Sequence, residues 1–282
     1  MQIFGKLLGA FFGFLFGGVI GAALGCFIGH QFDKGMSRSA GFNPGSFAGG
    51  PNQAERQSAF FNAAFSVMGH VAKSKGQVKA EEIQLASAMM ERMNLHGEQR
   101  SAAQAAFRAG KESDFPLEET LASVKQATNS RYDLLQFFLE LQISAAFADG
   151  DLHPSERDVL QRVAKGLGFS ARDLEARLAR YMAAFRFQQQ QGFHQQGAGG
   201  SSSHGFGQQP NQGQLDSAYQ ILGVNKSDDD KTIKRAYRKL MNEHHPDKLM
   251  AKGLPPEMMN VAKEKSQEIQ NAYDMIKKHR AS

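Results

Sequence analysis

His245, Pro246 and Asp247 set an imidazole and a carboxylate on either side of a ring that stops a helix and fixes the turn between them. Such a pair can make directed polar contacts with a partner. Just before it Lys231, Lys234, Arg235, Arg238 and Lys239 recur at helical spacing, a cationic face suited to an acidic surface or to phosphate. A second set of chemically capable residues is Asp149, Asp151 and Glu156, with His153 beside them. These are hard oxygen ligands that suit a divalent cation, although their spacing is not that of an EF-hand. The preferred reading is that Gly150 supplies a turn and that the carboxylates and Ser155 cap the helix after it, which leaves the metal set as the lesser candidate. Cys26, the single cysteine, excludes an internal disulfide and a paired-CxxC zinc module. No catalytic residue and no cofactor is expected.

The elements that must position the tripeptide are legible in the spacing. Residues 227–244 read as one helix, with Ser227 and the acidic run Asp228 to Asp230 at its start. Ile233, Ala236, Tyr237, Leu240 and Met241 form its apolar stripe. A polar loop over 247–256 then leads to a second helix, striped by Met259, Ala262, Ser266, Ile269, Ala272, Tyr273 and Ile276. The two would make a hairpin with the tripeptide at its tip, preceded by a short helix over 216–222 that Gly223 closes.

The stretch from about Leu215 onward resembles the J-domain of DnaJ-type proteins. The resemblance rests on Tyr219, Leu222-Gly223-Val224, Ala236-Tyr237-Arg238-Lys239-Leu240, His245-Pro246-Asp247-Lys248 and Glu268 to Tyr273. It implies that the tripeptide and the basic face, through Lys234, Arg235, Arg238 and Lys239, dock on an acidic surface of a DnaK-type chaperone and accelerate its ATP hydrolysis. Ser266 departs from the family's usual phenylalanine, and a smaller core is expected there. Charge argues against a nucleic-acid partner. The net charge of +5 is confined to the ends of the chain, because residues 52–187 carry 17 basic and 17 acidic side chains.

Near the other end, residues 7–29 hold no charge and are long enough to cross a bilayer. Gly5, Gly9, Gly13, Gly17, Gly21, Gly25 and Gly29 occupy every fourth position, clearing a ridge along which a second helix can pack, so a homodimer through this segment is expected. A cleaved signal peptide fits less well, since the run exceeds the usual length and no small-x-small site ends it. Charge only leans toward a cytoplasmic C-terminus. An ATP-dependent partner requires it.

Between these regions, residues 53–187 read as an all-helical domain with stripes through Phe61, Phe65, Met68 and Leu134, Phe138, Leu141. Ala72 to Glu82 realigns on Ala146 to Glu156 as an internal repeat. The repeated turn resembles the signature of TerB-like helical domains; in the first copy Lys75 and Gln77 replace both aspartates. Residues 188–214, rich in Gln, Gly and Ser and free of charge, read as a flexible linker with an r.m.s. reach of about 30 Å.

The expected architecture is all-α. It comprises a periplasmic N-terminus (1–6), a transmembrane helix (7–30), a juxtamembrane linker (31–52), the TerB-like domain (53–187), the disordered linker (188–214) and the J-domain (215–282). This order, and the loop Lys248 to Met259, resemble the membrane-anchored DnaJ-like co-chaperones of Gram-negative bacteria. That family implies an inner-membrane, single-pass protein that regulates a DnaK-type chaperone, with a link to capsule-synthesis signalling and stress response. The rival reading is a membrane-tethered metal-binding stress sensor working through the TerB-like domain.

Overall fold

Asn52 begins the first described helix with a capping box: its side chain accepts from the Glu55 amide at 2.9 Å and the Glu55 carboxylate accepts from its own amide at 3.1 Å. The computed structural model describes residues 52–76, 80–147, 150–196 and 212–281. The expected membrane helix and its glycines, together with Asp149, lie outside the described residues. Among the described residues all regular structure is helical, and no helix is long and apolar enough to cross a membrane.

In the middle region α1 (Gln53–Lys73) is the central helix, surrounded by α3 (Gly97–Gly110), α4 (Leu117–Ala127), α5 (Tyr132–Ala146) and α6 (Pro154–Leu167), with α2 (Ala80–Arg92) beside α3 and α5. Glycine makes one contact possible. A Cβ on Gly110 would fall 1.7 Å from the Ser66 carbonyl oxygen, and one on Gly69 would fall 2.1 Å from that of Phe107, so α1 and α3 touch backbone to backbone. Phe60 meets Phe138 edge to face at 5.3 Å, and Phe65, Phe138 and Leu139 are fully buried.

The helix α7 (Ala171–Gln196) then leads outward, and after the undescribed residues 197–211 come α8 (Gln212–Leu222), α9 (Asp230–His244), α10 (Pro246–Lys252), a single 3₁₀ turn (Pro256–Met258) and α11 (Met259–Ala281). The stripes of α9 and α11 face each other as expected, with Tyr237 stacked on Tyr273 at 4.2 Å. Arg280 fastens the end of α11 to the opposite corner. Its guanidinium donates to the Tyr219 hydroxyl, the Asp230 carboxylate and the carbonyls of Lys226 and Asp228 at 2.7–3.0 Å.

Four expectations are corrected. The helix expected from Ser227 starts at Asp230, because Asp228 accepts from the Asn225 amide to close a turn while Asp229 caps the Thr232 amide at 2.9 Å. The polar loop expected over 247–256 is mostly α10. Proline suits its first position, Lys-Leu-Met-Ala-Lys are good helix formers, and Gly253 in the left-handed region (φ 109°) ends it. The linker expected over 188–214 is shortened at both ends, since glutamines extend an existing helix without a new nucleation cost. Finally, the hairpin does not float on its tether. Residues 51–282 form one unit, in which Leu249, Leu254, Met258 and Ala262 join the core of the middle region, and Ala183, Ala184 and Phe187 of α7 join that of the hairpin.

Candidate functional site

The tripeptide is the joint between two helices. His245 has an extended backbone (φ −64°, ψ 124°) that ends α9, and Pro246 is the first residue of α10. The ring Nδ1 of His245 accepts from the Asp247 amide at 3.2 Å, capping α10 and fixing the imidazole against the turn. Asp247 is exposed in the first turn of α10, where free amides favour its negative charge, and His245 and Pro246 are half-buried.

The cationic residues expected beside it lie on the solvent side of α9: Lys234, Arg235, Arg238 and Lys239 are all exposed. Lys239 stands 4.0 Å from Glu243, and the other three make no ion pair with any described residue. The opposite side is locked down. Buried Ile233 and Leu240 pack inward, and Ser266, buried on α11, donates its hydroxyl to the His244 carbonyl at 2.8 Å. The position that was expected merely to leave a smaller core thus satisfies a carbonyl at the end of α9.

His244, which the sequence did not single out, anchors that inner side. It is 3% exposed and sits between Gln136 and Glu140 of α5. The Gln136 amide nitrogen lies 3.2 Å from Nε2, so the neutral ring accepts there, and Glu140 faces Nδ1 at 3.5 Å. Burial pushes the His244 pKa down, against the pull of Glu140. At Glu140 burial pushes upward, but His244, Lys265, Arg177 and Arg180 together outweigh it and hold the carboxyl below its usual range. Next to this network Lys252 pairs with Asp133, and Arg131 donates to the Lys252 carbonyl at 2.9 Å. The tripeptide is therefore held from both flanks, by His244 before it and by Leu249 and Lys252 after it. No sequence signal marked Gln136 and Glu140, because they lie more than 100 residues from His244.

The acidic turn of the middle region has a different arrangement. Gly150 has φ 90°, the turn geometry expected of it. Glu156 is 2% exposed; it accepts from the His153 amide at 3.0 Å in a capping box, and the Lys75 ammonium stands 3.1 Å from its other oxygen. Lys75 belongs to the first copy of the repeat, at the position where it departs from the TerB signature. A side-chain cation thus faces the carboxylate that was weighed as a metal ligand. Among the described residues no three His, Cys, Asp or Glu side chains converge to hold a metal, and Asp149 lies outside them.

Three known families match successive parts of the chain: the "Co-chaperone DjlA transmembrane domain" over residues 1–39, "Tellurite resistance protein TerB" over 61–178 and the "DnaJ domain" over 217–281. Similar proteins span the whole chain. Co-chaperone protein DjlA of Vibrio parahaemolyticus is 72% identical over 279 residues, covering 99% of this chain and 98% of the relative. The proteins of the same name from Vibrio cholerae and Salmonella typhimurium are 66% and 49% identical, each with 99% of both chains covered. No solved structure matches.

Proposed function

The chain belongs to the DjlA family of co-chaperones, and from that premise we propose that it stimulates ATP hydrolysis by a DnaK-type chaperone. The observation that carries this reading is the joint of α9 and α10. Exposed Asp247 and the exposed cations of α9 share the solvent side, while the other side of the same helices is packed away. In this reading His245 and Asp247 make the directed contacts, Pro246 sets their turn, and Lys234, Arg235, Arg238 and Lys239 draw in and hold an acidic surface. The chain regulates a partner's hydrolysis and has no reaction of its own.

The anchor completes the proposal. Residues 7–30 cross the inner membrane once with the N-terminus in the periplasm, and Gly5, Gly9, Gly13, Gly17, Gly21, Gly25 and Gly29 bring two copies together. The match of residues 1–39 to the DjlA transmembrane family supports the anchor. Confinement to the membrane surface suits a role in envelope or capsule-synthesis signalling. The test is steady-state ATP hydrolysis by a purified DnaK-type chaperone, with the full chain in lipid nanodiscs against its His245→Gln variant. Several-fold stimulation by the first alone is expected. Equal rates with and without the native chain would overturn the reading.

A further inference from the structure

Among the described residues two large hydrophobic side chains stay exposed, Tyr132 at 56% and Met182 at 40%. A lone exposed methionine on a helix is ordinary. Tyr132, the first residue of α5, is held differently. A surface tyrosine usually lays its ring on the protein and keeps its polar tip in water. Here the hydroxyl accepts from the guanidinium of buried Arg177 at 2.9 Å, so the polar tip is engaged within the fold while the residue stays more than half exposed. The buried ring of Phe169 meets the tyrosine ring edge to face at 5.3 Å and fixes its plane.

These contacts tie Tyr132 to the tripeptide. The same Nη2 of Arg177 donates to the Gln136 side-chain oxygen at 3.2 Å, and the Gln136 nitrogen lies 3.2 Å from the ring of His244, the residue before His245. Tyr132, Gln136 and Glu140 are four residues apart and share one face of α5, with Cβ atoms of successive members about 5–6 Å apart. The chain neighbours of Tyr132 fasten the far end of the joint: Arg131 donates to the Lys252 carbonyl at 2.9 Å, and Asp133 pairs with the Lys252 ammonium. Lys252 ends α10, about 10 Å of helix whose first turn holds Asp247. The exposed ring is therefore set beside the joint by contacts to both helices that form it.

We propose that Tyr132 continues the tripeptide's docking face onto the middle region, its ring packing on an apolar side chain of the same DnaK-type chaperone. This role rests on the co-chaperone reading and extends it from the hairpin to α5. A ring already held in place loses little freedom on binding, which suits tyrosine to anchor an interface. With its hydroxyl occupied it offers the partner an apolar surface, and exposed Arg131 and Lys248 add positive charge that suits the acidic surface drawn by α9.

The test is the concentration of full chain, in lipid nanodiscs, that half-maximally stimulates ATP hydrolysis by a purified DnaK-type chaperone. Tyr132→Ala should raise it about fivefold or more with the maximal rate largely intact, while Tyr132→Phe, which keeps the ring, should stay within about twofold of the native chain. A tyrosine that only supported the fold would lower the thermal midpoint and the maximal rate together and leave the half-stimulating concentration alone. An unchanged half-stimulating concentration for Tyr132→Ala, or Tyr132→Phe as weak as Tyr132→Ala, would overturn the role of the ring. If Tyr132→Ala fails to fold, benzoylphenylalanine in place of Tyr132 decides: it should photocross-link to the chaperone, and no cross-link, or one undiminished by His245→Gln, would overturn the contact. No stimulation by the native chain would sink the co-chaperone reading itself.

Discussion

The two sides of α9 treat charge in opposite ways. On the solvent side Lys234, Arg235 and Arg238 stand exposed with no ion pair among the described residues; on the inner side His244 and Glu140 are tied into hydrogen bonds with Gln136. Both sides are polar, and both belong to the same 15-residue helix. The inner groups spend their hydrogen bonds on holding the joint still, whereas the outer ones keep theirs available to another molecule. Position relative to the packed seam, not residue type, separates the structural from the recognition role.

That contrast can be broken most severely at the joint. Asp247→Asn removes one charge from an exposed carboxylate, so the thermal midpoint should stay within about a degree while stimulation of the chaperone's ATPase falls by tenfold or more; a parallel loss of stability would show the residue to be structural. On the inner side the effect should invert. Glu140→Ala strips partners from Gln136 and His244, and a loss of about 1–3 kcal/mol is expected from denaturant titration, with stimulation per folded chain largely kept.

Acid sharpens the same distinction. His244 is neutral in the fold and its pKa lies below 6.5, so the unfolded chain takes up the proton first. Stability is therefore complete above about pH 6.5 and falls as the pH drops toward the folded value, by at most about 1.4 kcal/mol per pH unit. Glu140, also lowered, adds its own loss only below about its usual 4.5. Denaturant titrations at pH 7.5 and 5.5 should differ for the native chain and much less for His244→Gln. The smallest effect belongs to the outer cations. Arg235→Ala with Arg238→Ala should weaken chaperone stimulation about two- to tenfold at low salt, flatten its salt dependence and leave the melting curve alone; an unchanged salt slope would exclude their electrostatic role.

What the sequence disclosed follows the same division. The tripeptide, the stripes of α9 and α11 and the cationic face depend on spacing within one element, and the helices that place them were readable from period alone. Local competition between caps was harder: Ser227 and Asp229 were both plausible starts, and only the Asn225–Asp228 turn decides for the latter. The helix α10 was hidden by proline and glycine at its two ends, which mark a loop as readily as a short helix. The seam was invisible, because Gln136 and Glu140 meet His244 across a segment that reads as a charge-free tether. Lys75 facing Glu156 was concealed in the same way, as a mismatch in a repeat whose meaning appears only when the two copies meet in space.

The exchanged core residues give a final consequence for how the molecule comes apart. Ala183, Ala184 and Phe187 fall after residue 178, where the TerB match ends, and before 217, where the DnaJ match begins, yet they are buried with Tyr219, Ile269 and Ile276. Leu249, Leu254 and Met258 are lent in the other direction. Heat should therefore melt residues 51–282 in a single cooperative transition, and amide protons of α7 and α11 should exchange at matching rates. A fragment cut at the family boundaries would leave each half with an exposed apolar gap that the other half was folded to fill.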